Sequence, residues 1–154
     1  MKLAVTGCNG NIGRRVCMLA LNAGHTVHGI DSARPSDHPA FFVHSNFVFS
    51  QLDLRDYAQT VDAITGSDAI IHLAAIPTPT DYLVHTHNTN VVISWNVLRG
   101  AAELGIRRIA QASSVNVVQL VWSKQPTLHY LPLDEDHPRE PDEPYGPLQT
   151  VCSL

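Results

Sequence analysis

Three glycines spaced three residues apart, Gly7, Gly10 and Gly13, sit between an apolar run and a stretch of helical periodicity. That placement narrows the fold more than any other feature of the chain. Residues 2–6 read as a short buried strand, and residues 7–11 must then turn. From residue 12 to 23 the apolar pattern is helical, with Ile12, Val16, Leu19 and Ala20 sharing a face and Ala23-Gly24 giving a stop. A strand, a glycine turn and a helix in that order place unpaired helix N–H groups at the mouth of the turn, where an anion can approach.

The alternation continues along the chain. Strands are expected at residues 26–30, 47–52, 69–74 and 107–113. Helices are expected at 57–64 and 88–104, the latter with Val91, Trp95, Leu98 and Ala102 on one face. Residues 34–44 and 76–81 carry prolines and read as loops. The strands are continuously apolar rather than alternating, which means a parallel sheet buried on both faces. The expected fold is therefore α/β, a Rossmann-type parallel sheet of about five strands with helices on both faces. Its core spans residues 1–125. A Pro- and acid-rich segment, 126–154, leads to an incomplete helix. Six acids fall between Asp134 and Glu143, read either as a solvated loop or as a segment that orders only against something else.

In this context the glycine motif reads as a dinucleotide site. Gly7 permits the tight exit from the strand, Gly10 the approach of a pyrophosphate, and Gly13 the approach of helix to sheet. Asn9, Asn11 and Ile12 complete the loop that would line the phosphates. Asp31 ends the second strand, 24 residues after Gly7, where a carboxylate accepts from the ribose hydroxyls. A 2′-phosphate would meet a like charge there, so NAD is expected over NADP; Arg34, able to reach such a phosphate, argues the other way. Asp53, with Leu54 beside it, is expected either to meet the adenine amino group or to cap the following helix. Leu73, Ala74 and Ala75 end the fourth strand with room for a cofactor. His72 before them reads as a packed strand residue.

Taken together, Thr6-Gly7-Cys8-Asn9-Gly10-Asn11-Ile12-Gly13, Asp31, Asp53-Leu54-Arg55-Asp56, His72-Leu73-Ala74-Ala75, Asn90, Ala112-Ser113-Ser114 and Tyr145-Gly146 resemble an extended short-chain dehydrogenase/reductase of the NAD-dependent epimerase/dehydratase family, in its N-terminal portion. The resemblance implies hydride transfer on a carbonyl or alcohol substrate. By it Ser114, with Ser113 as its neighbour, matches the serine that hydrogen-bonds the substrate oxygen. Tyr145 matches the proton-transferring tyrosine, and Asn90 the supporting helix asparagine. A phenol of pKa about 10 needs a nearby cation to act at neutral pH. The family pattern supplies Lys four residues on, where this chain has Gln149. The sequence reads as C-terminally truncated and is expected to be inactive as it stands. A non-catalytic nucleotide-binding scaffold or regulatory protein and an unstable partial gene product are the alternatives.

Composition limits the partners. The net charge of -4 and the lack of a basic run disfavour nucleic acid. No apolar stretch reaches membrane-spanning length. Three cysteines without a framework fit a reducing, cytoplasmic setting. The nine histidines lack metal-ligand spacing, so no metal is expected. Cys8 lies near a helix N-terminus, which lowers a thiol pKa, but without a partner it reads as structural. Trp95 and Trp122 read as packing residues. The resemblance makes the helix at 88–104 one of the family's common dimer helices, so a homodimer is an open expectation, and the fifth strand is expected to leave an exposed edge. The small-molecule substrate is not legible.

Overall fold

The computed structural model describes residues 1–37, 39–77, 82–118, 123 and 125–140. The chain divides into two compact units. The first, Met1–Ala75 with Val92–Gln111, contains the sheet. The second comprises Ile76–Val91 and Ala112–Leu154.

Five parallel strands form one sheet in the order β3-β2-β1-β4-β5. They are β1 (Lys2–Thr6), β2 (Thr26–Asp31), β3 (Phe47–Gln51), β4 (Ala69–His72) and β5 (Ile109–Gln111). The expected five-stranded, Rossmann-type sheet is thus the observed one. The strand order reverses at β1, so the C-terminal ends of β1, β2 and β4 meet at the glycine loop. In parallel α/β sheets that switch point is where ligands bind.

Each face of the sheet carries its own core. On one, Leu3, Val5 and Val27 pack with Cys17, Ala20 and Leu21 of α1 (Asn11–Asn22) and with Phe41 and Phe47. On the other, Ala4, Ile30 and Ile70 pack with Ala63 and Ile64 of α2 (Tyr57–Ile64) and with Ile93, Val97 and Ala101 of α3 (His87–Glu103). Helix α1 ends in a Schellman arrangement, His25 N–H donating to Ala20 O and Gly24 N–H to Leu21 O.

Several expectations need correcting. The loop at 34–44 contains a short 3-10 helix, Ala40–Val43, that buries Phe41. Phe41, Phe42, Phe47 and Phe49 pack with ring centroids 5.0 to 5.2 Å apart, and this aromatic cluster takes the place of a crossover helix between β2 and β3. The inward face of α1 is Gly13, Cys17, Ala20 and Leu21, while Ile12 and Leu19 are exposed. On α3 the buried positions include Ile93, Ser94, Asn96, Val97 and Ala101, and Trp95 is 62% exposed. In both helices the buried stripe mixes large apolar residues, Leu21, Ile93 and Val97, with small or polar ones where a neighbouring turn or helix comes close. At Gly100 a Cβ would already sit 3.1 Å from Ile64 and Val61. Trp122 lies outside the described residues.

Among the described residues β5 is the last strand on its side of the sheet, and Ala110 is exposed. No helix among the described residues is long and apolar enough to cross a membrane.

Candidate nucleotide site

The glycine loop is built from backbone contacts that exclude side chains. Gly7 has φ +67°, and a Cβ there would lie 2.8 Å from Ala74 N and from the carbonyl carbon of Leu73. Its N–H donates to Ile30 O at 2.8 Å, tying the turn to the end of β2. A Cβ at Gly13 would lie 2.1 Å from Gly7 O. Gly7 thus makes the tight exit from β1, and Gly13 lets α1 approach the Gly7–Cys8 turn rather than a strand of the sheet. Gly10 is the N-cap of α1 and supplies no side-chain hydrogen bond. The first-turn N–H groups, those of Asn11, Ile12 and Gly13, have no intrahelical acceptors, and Gly10, Asn11 and Ile12 are exposed. This is a helix end open to an anion.

Asp31 sits at the end of β2 beside that opening. Its Oδ2 accepts from Asn9 N–H at 3.0 Å and its Oδ1 from Ala33 N–H at 3.4 Å. The Asn9 side-chain amide donates to Ala33 O. Arg14 reaches from α1 to Asn9 O at 2.8 Å and clasps Asp37 with both terminal nitrogens, at 2.5 and 2.8 Å. The segment after β2 is thus tied to the glycine loop at several points. Arg34 is exposed and lies with its guanidinium carbon 5.2 Å from the Phe49 ring centroid.

Asp53 makes a bidentate ion pair with Arg55, at 2.5 to 3.1 Å, and accepts from Arg55 N–H. The hydrogen bonds from the Arg55 guanidinium hold the Asp53 carboxyl below the usual range. Asp53 does not cap α2. That position is Asp56, which accepts from Gln59 N–H at 3.1 Å and from the Gln59 side chain at 2.7 Å. Leu54 places its side chain in the core, and its carbonyl accepts from Asn96 at 2.8 Å and Thr60 at 3.1 Å. Asn96 also donates to Arg55 O at 3.0 Å. Sequence reasoning missed Asn96. A polar side chain in the middle of a helix, beside a residue that continues the apolar pattern, was the available signal.

Cys8 is fully buried, and burial pushes its thiol up. That is the reverse of the shift a helix N-terminus favours, because loss of water outweighs the dipole. β4 stops at His72, two residues before the expected end. Leu73 N–H turns to Thr6, reaching its carbonyl at 3.2 Å and its hydroxyl at 3.1 Å, and Ala74 N–H reaches the same hydroxyl at 3.2 Å. Ala75, next along, ends the first of the two stretches that make up the first unit.

In the second unit, Asn90 is buried and grips the backbone of Ile76. Its Oδ1 accepts from Ile76 N–H at 2.8 Å and its Nδ2 donates to Ile76 O at 3.3 Å. Ser114 is half-buried and opens the 3-10 turn Val115–Val117, its carbonyl accepting from Val117 N–H. Ser113 is exposed. Tyr145 and Gln149 lie outside the described residues. Among the described residues no group of three potential metal ligands occurs.

Residues 3–149 match the model of the NAD dependent epimerase/dehydratase family. An uncharacterized protein of Mycobacterium tuberculosis is 35% identical over 74% of this chain and 12% of its own length. The dTDP-6-deoxy-L-talose 4-dehydrogenase (NAD(+)) of Aggregatibacter actinomycetemcomitans is 29% identical over 95% of this chain and 50% of its own length. Among solved structures, a short-chain dehydrogenase/reductase superfamily protein of Agrobacterium tumefaciens with bound NAD superposes with a TM-score of 0.78 at 31% identity, covering 99% of this chain and 43% of that one. The chain therefore spans half or less of the length of these relatives, and what it matches is their N-terminal part. With the glycine loop, the reversed strand order and a match over most of its length, the chain belongs to the NAD dependent epimerase/dehydratase family.

Proposed function

We propose that the chain binds NAD at the C-terminal ends of β1, β2 and β4, as the cofactor-holding part of an enzyme that moves a hydride to or from a carbonyl or alcohol carbon. The observation that carries this reading is the Asp31 carboxylate, held by Asn9 N–H beside the uncapped N-terminus of α1. The pyrophosphate would lie against the N–H groups of Asn11, Ile12 and Gly13, with Gly7 and Gly10 leaving room. Asp31 would accept from the adenosine ribose hydroxyls and disfavour a 2′-phosphate. Asp53 keeps carboxylate lone pairs beyond those that Arg55 uses and would take the adenine amino group. Leu54 would contribute backbone only, since its side chain is in the core. Leu73, Ala74 and Ala75 would form the floor beside the phosphates. NAD accompanies the solved Agrobacterium relative, which supports NAD over NADP.

In the reacting half, Ser114 would hold the substrate oxygen, Tyr145 would pass the proton, and Asn90 would fix the Ile76 backbone. Gln149 stands where the family resemblance places the lysine that lowers the tyrosine pKa. That neutral amide favours a second reading for the 154-residue chain, nucleotide binding without turnover. Calorimetric titration of the purified chain with NAD tests the first reading, with Gly10→Asp and Asp31→Ala as controls. Saturable binding that Gly10→Asp abolishes is expected. A folded chain that binds no NAD overturns it. Turnover of NAD with a ketone or alcohol substrate overturns the second reading.

A further inference from the structure

Thr6, His72 and Ser94 form a line of polar side chains inside the first unit, with 0%, 2% and 6% exposure. None of the contacts proposed for NAD uses these side chains. Three buried polar side chains in a parallel sheet core are costly unless every donor and acceptor is matched, so their hydrogen bonds can be assigned by counting.

The Thr6 hydroxyl oxygen receives N–H groups from Leu73 at 3.1 Å and Ala74 at 3.2 Å. Leu73 N–H is shared with the Thr6 carbonyl at 3.2 Å, while Ala74 N–H is directed at the hydroxyl, so both N–H groups converge on its lone-pair side. The same oxygen lies 2.6 Å from His72 Nδ1, and the only proton left to bridge that gap is the hydroxyl's own. Thr6 donates and Nδ1 accepts. The ring proton then sits on Nε2, which donates to Ser94 Oγ at 3.3 Å. A proton on Nδ1 would compete with the Leu73 and Ala74 N–H groups for the hydroxyl's two lone pairs. Burial acts in the same direction, pushing the imidazole pKa down to about 4, so the ring is neutral at pH 7.

The far end of this line is the backbone against which the glycine turn closes. Ala74 N and the Leu73 carbonyl carbon are the atoms that a Cβ at Gly7 would strike, at 2.8 Å. The direction of the Thr6 hydroxyl therefore decides where these two N–H groups point, and with them the floor of the groove.

We propose that His72 is a positioning residue of the nucleotide groove: held as the Nε2–H tautomer by Ser94, it orients the Thr6 hydroxyl and so fixes the Leu73–Ala74 backbone under the Gly7 turn. Without an acceptor at Nδ1 the hydroxyl proton must swing toward the converging N–H groups, and one of those bonds is lost. The role rests on the NAD-binding reading above but does not share its fate, because the tautomer and the backbone order can be read without cofactor.

The test compares the wild-type chain with His72→Leu, which removes both ring nitrogens, and His72→Asn, whose side-chain oxygen can stand where Nδ1 stood. On wild type at pH 7, the histidine ring nitrogens are read by NMR of a chain carrying 15N-histidine. The Nε2–H pattern is expected, and an Nδ1–H or imidazolium pattern overturns the proposal. Amide hydrogen exchange at Leu73 and Ala74, without NAD, is expected to accelerate tenfold or more in His72→Leu and to return within threefold of wild type in His72→Asn. The dissociation constant for NAD is expected to rise about tenfold in His72→Leu, equal to about 1.4 kcal/mol, and to recover in His72→Asn. Ser94→Ala, which hardly changes core volume, serves if His72→Leu does not fold; its expected signature is loss of the single-tautomer pattern with faster exchange at Ala74. Unchanged exchange in a folded His72→Leu or Ser94→Ala chain overturns the proposal. Wild type that fails to bind NAD while these exchange effects appear overturns the NAD reading and leaves the brace standing.

Discussion

Gly13→Ala separates two opposed forces at one atom. Within a helix, alanine is favoured over glycine by about 1 kcal/mol, so local propensity alone has the variant more stable. The structure reverses the sign. The new methyl would lie 2.1 Å from Gly7 O, 2.8 Å from Cys8 Cα and 2.9 Å from the Gly7 carbonyl carbon. All three are backbone atoms, so no rotamer change relieves the contact. The 2.1 Å gap must open to an ordinary 3.4 Å, which lifts α1 from the turn and strains the Gly7 N–H bond to Ile30 O. Overpacking of this kind costs about 1–3 kcal/mol or more, and here it falls on backbone. With the overpacking cost at its upper end, a net loss of about 2 kcal/mol is expected, or a fall in Tm of roughly 4–8 °C for a chain of this size. Urea unfolding followed by circular dichroism measures it, with Asn22→Ala at the exposed end of α1 as the control for propensity. A Gly13→Ala chain as stable as wild type, with the same m value, would refute the close-approach reading.

Four further outcomes are expected. Asp31→Ala should weaken NAD by tenfold or more in the calorimetric titration while leaving Tm nearly unchanged, since the side chain is half-exposed. Asn96→Ala strands the Arg55 carbonyl and leaves the Leu54 carbonyl to Thr60 alone, and should cost about 1–3 kcal/mol in urea unfolding. Trp95→Ala should shift stability by no more than about 0.5 kcal/mol, because the ring is 62% exposed; a loss above 2 kcal/mol would mean that α3 is rotated from the position described. His72 gives a pH dependence of known sign. Its pKa falls from 6.5 unfolded to about 4 folded, so the unfolded chain binds the proton first. Stability is complete above pH 6.5 and declines as pH drops toward 4, by about 3 kcal/mol at most. The steeper acid loss of wild type relative to His72→Leu, read as urea midpoints at pH 7 and pH 5, checks it.

The strand-turn-helix around Gly7, Gly10 and Gly13 was legible because each glycine answers a backbone distance, and backbone geometry has few solutions. The five parallel strands were legible for a similar reason, since a strand buried on both faces leaves a continuous apolar run. The helix faces were not. Apolar spacing in α1 and α3 marks stripes containing Ile12, Leu19 and Trp95, which face outward, whereas Gly13 meets the glycine turn, Ser94 the His72 ring, Asn96 the Leu54 and Arg55 carbonyls, and Gly100 the α2 side chains. Periodicity records hydrophobicity, and these positions were filled by size and hydrogen bonding instead. The end of β4 was misplaced because Leu73 and Ala74 donate to a side chain rather than to a neighbouring strand. The choice of helix cap among Asp53 and Asp56 turned on a hydrogen bond, which residue type alone does not decide. The place of Asp31 at the end of β2 was legible from the apolar run before it, but the N–H of Asn9 that its carboxylate accepts was not.

Helix α3 poses a trap for anyone wishing to make the protein sturdier. Its buried stripe carries serine and asparagine where a design guided by apolar burial would write valine and leucine. Such replacements would fill the interior and raise the melting point of an isolated helix–sheet sandwich. They would also cut the tethers from Ser94 to the His72 ring and from Asn96 to the Leu54 and Arg55 carbonyls. Thermal robustness and an ordered groove floor thus draw on the same positions in opposite directions. Selection for heat resistance alone should drift toward chains that melt late and hold their cofactor loosely.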